Sequence, residues 1–221
     1  MTKITVLDGS AAIQIPKHVG KDPDGDPLWT ARFLLTHPEA VTLAHLDFLR
    51  SGSDIIETNT YQASVTGFRK YLNYDEAESL ELIKKSVDLA KAAVETFKKE
   101  LETDESKVNR QPMIAGSCGP YGATLHDASE YTGIYDSSIT KEFLKDWHRA
   151  KIKALIEAGV DLLALETVPC AMEAEALVEL LKEFPETKAW LTFSCAAEGT
   201  TLVDGSDFKE TVIKAWNNAI P

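Results

Sequence analysis

Two carboxylates stand where chemistry would be expected: Asp8 ends the apolar run Ile4–Leu7, and Glu166 ends Leu162–Leu165. If both runs are parallel strands, both side chains project toward one shared mouth. There they could do general acid–base work, bind a cation or clamp a substrate ammonium. Either residue alone could simply accept hydrogen bonds from loop amides, but the pairing at equivalent strand ends favours function. The stretch Glu57-Thr58-Asn59-Thr60-Tyr61-Gln62 is dense in polar and aromatic groups directly after another apolar run. It could wrap a polar ligand, with the Tyr61 ring facing a positive charge, or be a hydrogen-bonded loop covering the sheet end. The segment Gly116–Gly122 holds three glycines and a proline in seven residues, which permits close backbone approach to a ligand or a tight turn. Cys118, Cys170 and Cys195 also follow apolar runs, so three thiolates at one mouth could hold zinc with an open position. Their wide spacing is unlike a ligand set, and small buried thiols are common in cores. Of the five histidines, His126 falls in a candidate ligand loop, whereas His37, His45 and His148 are expected at the surface. Neither a serine elbow nor a phosphate loop is present.

The elements needed to position these groups can be read along the chain. Strands are expected at Ile4–Leu7, Asp54–Glu57, Met113–Ala115, Leu162–Leu165 and Ala189–Phe193. A Gly/Pro/Asp-rich loop, Gly20–Pro27, follows the first. Thr36 and Glu39 bracket Pro38 in a capping-box pattern that opens a helix closed by Gly52. Asp75 opens a long helix with Leu80, Ile83, Val87, Ala90, Val94, Phe97 and Leu101 at steps of three and four. Glu102–Gln111 reads as a surface loop. Thr140 opens a helix that Gly159 closes, another runs through Ala174–Leu181, and a last one spans Asp207–Ala219. Strands alternating with helices imply right-handed crossovers and a parallel sheet. A doubly wound sheet would want a Gly-rich turn opening a helix after its first strand, whereas Asp8-Gly9-Ser10 has one glycine. Polar strand ends and long loops favour a (β/α)8 TIM barrel, of which five units are expected here.

The chain has 221 residues, 44% hydrophobic and 26% charged, enough for one large domain. A net charge of −12 argues against nucleic acid and anionic membrane as partners. No apolar run approaches the roughly 20 residues a membrane span needs, and MTKITVLDGS has no basic segment leading into an apolar stretch, so no secretory leader is expected. Three widely spaced cysteines are no disulfide framework. The cytoplasm is the expected compartment.

Taken together, Val6–Ser10, His37–Ser64, Gly116–Tyr135 and Ala158–Leu181 resemble the homocysteine S-methyltransferase family, in order and over nearly the whole chain. TYQAS with Gly67-Phe68, and SEYTGIY, look like the branch using S-methylmethionine or S-adenosylmethionine rather than betaine or methyl-folate. The resemblance implies a (β/α)8 barrel that transfers a methyl group from a sulfonium donor to the sulfur of homocysteine, giving methionine. It also implies zinc as the thiol activator, since a metal-bound thiol ionises near neutral pH. Carried over by position, Asp8 and Glu166 would hold the homocysteine amino group. Asn59, Thr60, Tyr61 and Gln62 would form the substrate loop.

The family's zinc cysteines lie in G-V-N-C and G-G-C-C motifs, which this chain does not contain. Residues 1–221 are therefore expected to be a single homocysteine-binding barrel domain cut before its sixth strand. Its open edges could support self-association. Two other readings remain: an unrelated barrel enzyme with Asp8 and Glu166 as an acid–base pair, and a catalytically inactive short form that binds or regulates a partner.

Overall fold

The computed structural model describes residues 4–102 and 110–219. Four parallel strands, β1 (Ile55–Glu57), β2 (Met113–Cys118), β3 (Leu162–Val168) and β4 (Ala189–Phe193), lie side by side in chain order. In a doubly wound sheet the strand order reverses at a switch point. Here it advances steadily, which is the progression of a barrel wall. The fold is α/β, a partial TIM-barrel-like sheet with helices packed on one face.

The expected first strand differs. Residues 4–7 make only one parallel bridge, Leu7 to Ile55. Backbone bonds run from Asp54 N to Val6 O (2.7 Å) and from Asp8 N to Ile55 O (3.0 Å). The Val6 N–H bonds the Asp54 carboxylate instead of a strand, and Ile4 is 81% exposed. The segment still lies against β1 and delivers Asp8 to the same end of the sheet.

Helices α1 (Ala11–Val19), α2 (Phe33–Thr36), α3 (Pro38–Ser51) and α4 (Val65–Leu72) come from the first half of the chain, followed by α5 (Glu76–Leu101). From the second half come α6 (Lys141–Glu157), α7 (Ala171–Leu181) and α8 (Phe208–Ala219). The capping box at Thr36–Glu39 does not form. Thr36 ends α2, where its hydroxyl donates to Arg32 O (3.2 Å), and α3 starts from His37 with Pro38 in its first turn. A capping box does form at α5, where Asp75 and Glu78 exchange bonds of 2.8 Å each. Thr140 caps α6 by accepting from Phe143 N (3.2 Å). The loop expected after α5 falls mostly outside the described residues.

The main core lies between the sheet and α3, α5, α6 and α7, with Ile83, Val87, Ile152, Leu155, Leu163, Leu165 and Leu177 all buried. Neighbours on β2 face opposite ways, as strand geometry requires: Cys118 joins that core, while Ser117 lines a cavity at the strand's end. His45 and His148 are also interior, 3% and 0% exposed, which corrects their expected surface placement. Their helices wrap the sheet closely enough to cover the whole ring. Beyond β4 no further strand pairs among the described residues. That side carries an apolar groove of about 720 Å³ that includes Trp190, Phe208 and Trp216.

Candidate functional site

At the C-terminal end of the strands lies a cavity of about 400 Å³ whose lining includes Asp8, Glu57, Asn59, Tyr61, Ser117 and Glu166. Asp8 Oδ2 accepts from Glu57 N (2.9 Å); its other oxygen is buried without a partner. Glu57 ends β1, and its carboxylate has no hydrogen-bond or ion-pair partner among the described residues. Glu166 stands in an irregularity of β3, where the register to β4 shifts between Leu165 and Val168. A bulge of this kind turns a side chain out of the regular alternation. The next residue, Thr167, has φ 60°, an uncommon conformation for a β-branched residue. The Ser117 hydroxyl donates to Glu166 Oε1.

Among the described residues, no Lys, Arg or His lines the cavity. Burial pushes the Asp8 carboxyl up to about 7, opposed by the Glu57 amide and reinforced by the charge of Glu166. Burial, then the charges of Glu166 and Asp8, push Glu57 up to about 8. Burial raises Glu166 too, against the Ser117 bond and the Lys151 charge. Lys151 is 2% exposed and sits behind the wall, donating to Thr60 O (3.1 Å) and Tyr61 O (3.2 Å).

The expected loop residues divide. Asn59 and Tyr61 line the cavity with Asp8 and Glu166, although the Asn59 amide is already bonded to Thr30 O (2.8 Å). Thr60 is buried, its hydroxyl spent on Ser117 O (2.7 Å), so it braces β1 against β2. Gln62 lies instead in an adjoining cavity of about 510 Å³, beside His126 Nδ1 (3.3 Å) and Glu130. Trp29, Tyr61 and Tyr131 border both cavities and form an aromatic partition. Trp29 meets Tyr61 edge to face at 6.1 Å. The glycines of the β2 loop serve this packing: a Cβ on Gly119 would lie 2.6 Å from the Tyr61 ring.

Comparison with known proteins shows the family. The homocysteine S-methyltransferase family model matches residues 5–220. The chain belongs to the homocysteine S-methyltransferase family. Betaine-homocysteine S-methyltransferase of Drosophila melanogaster is 50% identical over 214 residues, 96% of this chain and 64% of that protein. Homocysteine S-methyltransferase YbgG of Bacillus subtilis is 44% identical over 204 residues, 92% of this chain and 62% of the relative. The metallated form of the homocysteine methyltransferase MmuM from Escherichia coli superposes with a TM-score of 0.86 at 37% identity, covering 97% of this chain and 71% of that one. The chain thus spans about three-fifths of the length of these curated relatives. One is named for betaine, so membership in this family carries no assignment of the methyl donor.

Zinc, which the family resemblance implies, finds no ligand set here. Among the described residues no three His, Cys, Asp or Glu side chains are grouped to hold a metal ion. Cys118 and Cys170 are buried, and burial pushes each thiol up to about 12, away from the thiolate a metal needs. Cys195 is exposed. No described helix is long and apolar enough to cross a membrane.

Proposed function

We propose that this protein provides the homocysteine-binding half of a methyl-transfer site that takes its methyl group from a sulfonium donor, S-methylmethionine or S-adenosylmethionine, to give methionine. The observation that carries the reading is a cavity with Asp8, Glu57 and Glu166 on its wall and, among the described residues, no lining cation. A protonated α-amine fits that field. The first turn of α1 borders the same cavity through Ser10, Ala11 and Ala12, and Ser10 makes no side-chain cap. Its free N–H groups suit the α-carboxylate. An amino acid held at both ends points its side chain toward the remaining wall.

The partition of Trp29, Tyr61 and Tyr131 supports a donor whose methyl group carries positive charge, because aromatic faces attract onium cations. Betaine, a quaternary ammonium, shares that charge, and the Drosophila relative's name makes it the donor to test beside the sulfonium compounds. The described residues do not supply zinc ligands, so what they contribute is binding and orientation, the part of catalysis that proximity provides.

Calorimetric titration with reduced homocysteine tests the reading. Asp8→Asn and Glu166→Gln should each weaken binding by about one to two decades, the worth of a charge-assisted hydrogen bond of roughly 1.5–3 kcal/mol. An unchanged affinity in both variants would remove the assignment.

A further inference from the structure

We propose that Glu57 completes a trio with Asp8 and Glu166 that trades a proton for a protonated α-amine, so that amino-acid binding in this cavity releases a proton to solvent. The proposal rests on the reading of the cavity as the homocysteine site and adds to it a residue and a coupling.

The geometry carries it. Three carboxylates line one cavity of about 400 Å³. Each is tied differently: Glu166 accepts from Ser117, Asp8 accepts from the Glu57 amide, and the Glu57 carboxylate has no partner among the described residues. One Asp8 oxygen is buried and unpaired. The groups that surround Glu57 offer little neutralisation. From β2 comes the Ser117 hydroxyl, and from the flanking loops come the phenols of Tyr61 and Tyr131. Lys151 on α6, whose charge reaches Glu166, is engaged by the carbonyls of Thr60 and Tyr61. Like charges sharing a desolvated site cannot all ionise at neutral pH: burial raises all three, and the charge of Glu166 adds to it at Asp8 and, with that of Asp8, at Glu57. The empty cavity therefore keeps a proton. An arriving ammonium supplies the missing positive charge, the trio ionises fully, and the proton leaves to buffer. Charge balances across the step: one cation enters and one proton departs.

Two consequences distinguish this from a plain ammonium clamp. Affinity rises with pH from about 6 to 8, by up to about tenfold per pH unit for each proton released. A ligand without the amine, 4-mercaptobutanoate, releases none.

The test is calorimetry of the 221-residue chain at pH 7 in phosphate and in Tris, whose ionisation heats differ, with reduced homocysteine and with 4-mercaptobutanoate. The expected result is a buffer-dependent heat for homocysteine equivalent to about one proton, reduced by half or more in Glu57→Gln. A heat independent of buffer, or an undiminished release in Glu57→Gln, overturns the proposal while leaving the homocysteine reading intact. If homocysteine does not bind, that reading fails, and the proton store is judged by difference titration of the parent chain against Glu57→Gln. A difference centred near neutrality or above sustains the store, and one centred near the ordinary Glu value, about 4.3, overturns it.

Discussion

Glu173 is the perturbation that most directly probes how the loop over the cavity is held. It lies in the first turn of α7, 0% exposed. Its Oε1 accepts from Tyr121 N (2.7 Å) and from His148 Nε2 (2.8 Å), and its Oε2 accepts from the Tyr135 hydroxyl. One side chain thus ties α7 and α6 to both ends of the loop carrying Glu130 and Tyr131. Since a carboxylate only accepts, His148 must donate through Nε2. Burial holds that ring below its usual titration range, so it is neutral, and its Nδ1 is left buried without a partner. Glu173→Ala would strand three donors. At about 1–3 kcal/mol for each unsatisfied buried group, and allowing for water entering the space, the loss should be about 4 kcal/mol. That lowers the melting temperature by about 10 °C for a domain of this size. Glu173→Gln should lose only about 1 kcal/mol: its amide oxygen keeps both N–H partners and only the Tyr135 hydroxyl must turn. Thermal unfolding by circular dichroism reads both variants. An alanine variant melting within 2 °C of the parent, or a glutamine variant as damaged as the alanine one, would show that the network is not what holds the loop.

Three further outcomes follow from other parts of the molecule. His45 is buried with an unpaired Nε2, and burial lowers its pKa to about 4. The unfolded chain takes up its proton near pH 6.5, so this residue erodes stability as pH falls from 6.5 toward 4. His45→Leu should therefore gain about 2 kcal/mol at pH 5 over any difference at pH 7.5, checked by urea unfolding at both values. Gly119→Ala should force the Tyr61 backbone and ring away, since the new methyl would lie 2.7 Å from the Tyr61 carbonyl oxygen. Overpacking costs about 1–3 kcal/mol, and the displaced ring should change the fluorescence of its neighbour Trp29. Finally, among the described residues no strand pairs beyond β4 or beyond residues 4–7, and Trp216 beside β4 is 68% exposed and Ile4 at the other edge 81%. Exposed apolar edges favour pairing with a second copy, so sedimentation velocity should show concentration-dependent association that Trp216→Asp reduces.

Much of the fold was legible because it rests on local periodicity. The α5 face from Ile83 to Leu101 repeats at helical steps over enough turns to outvote any alternative, and the Asp75 cap is a short-range signal. Where the reading failed, a non-local contact decided. No element was expected at Ala11–Val19, yet α1 runs there through Pro16 because Ile15 is buried in the core and Gly20, at φ 73°, closes the last turn on Pro16 O. Thr36-His37-Pro38-Glu39 has the letters of a capping box, but Thr36 had already been claimed by the turn that ends α2. Residues 4–7 have the composition of a strand and lack the apolar neighbour on their far side that would make them one.

The site was legible to the extent that strand ends are. Asp8 and Glu166 were placed by the rule that parallel strands present their C-terminal residues to one mouth, and that rule applied equally to Glu57, the last residue of β1. It was read as part of a polar loop because its neighbours Thr58 to Gln62 are polar too. Its importance depends on what the sequence does not display, namely that no lining residue neutralises it. Trp29 and Thr167 were hidden for a different reason. Both hold positive φ, a strained state that costs about 1–3 kcal/mol and persists only where surrounding packing fixes it. Thr167 takes that conformation beside the register shift that turns Glu166 toward the cavity, and Trp29 takes it at the partition between the two cavities. Strain at both places, with three carboxylates lining one cavity against their own repulsion, means that folding here spends stability to hold an anionic pocket in place before any cation arrives.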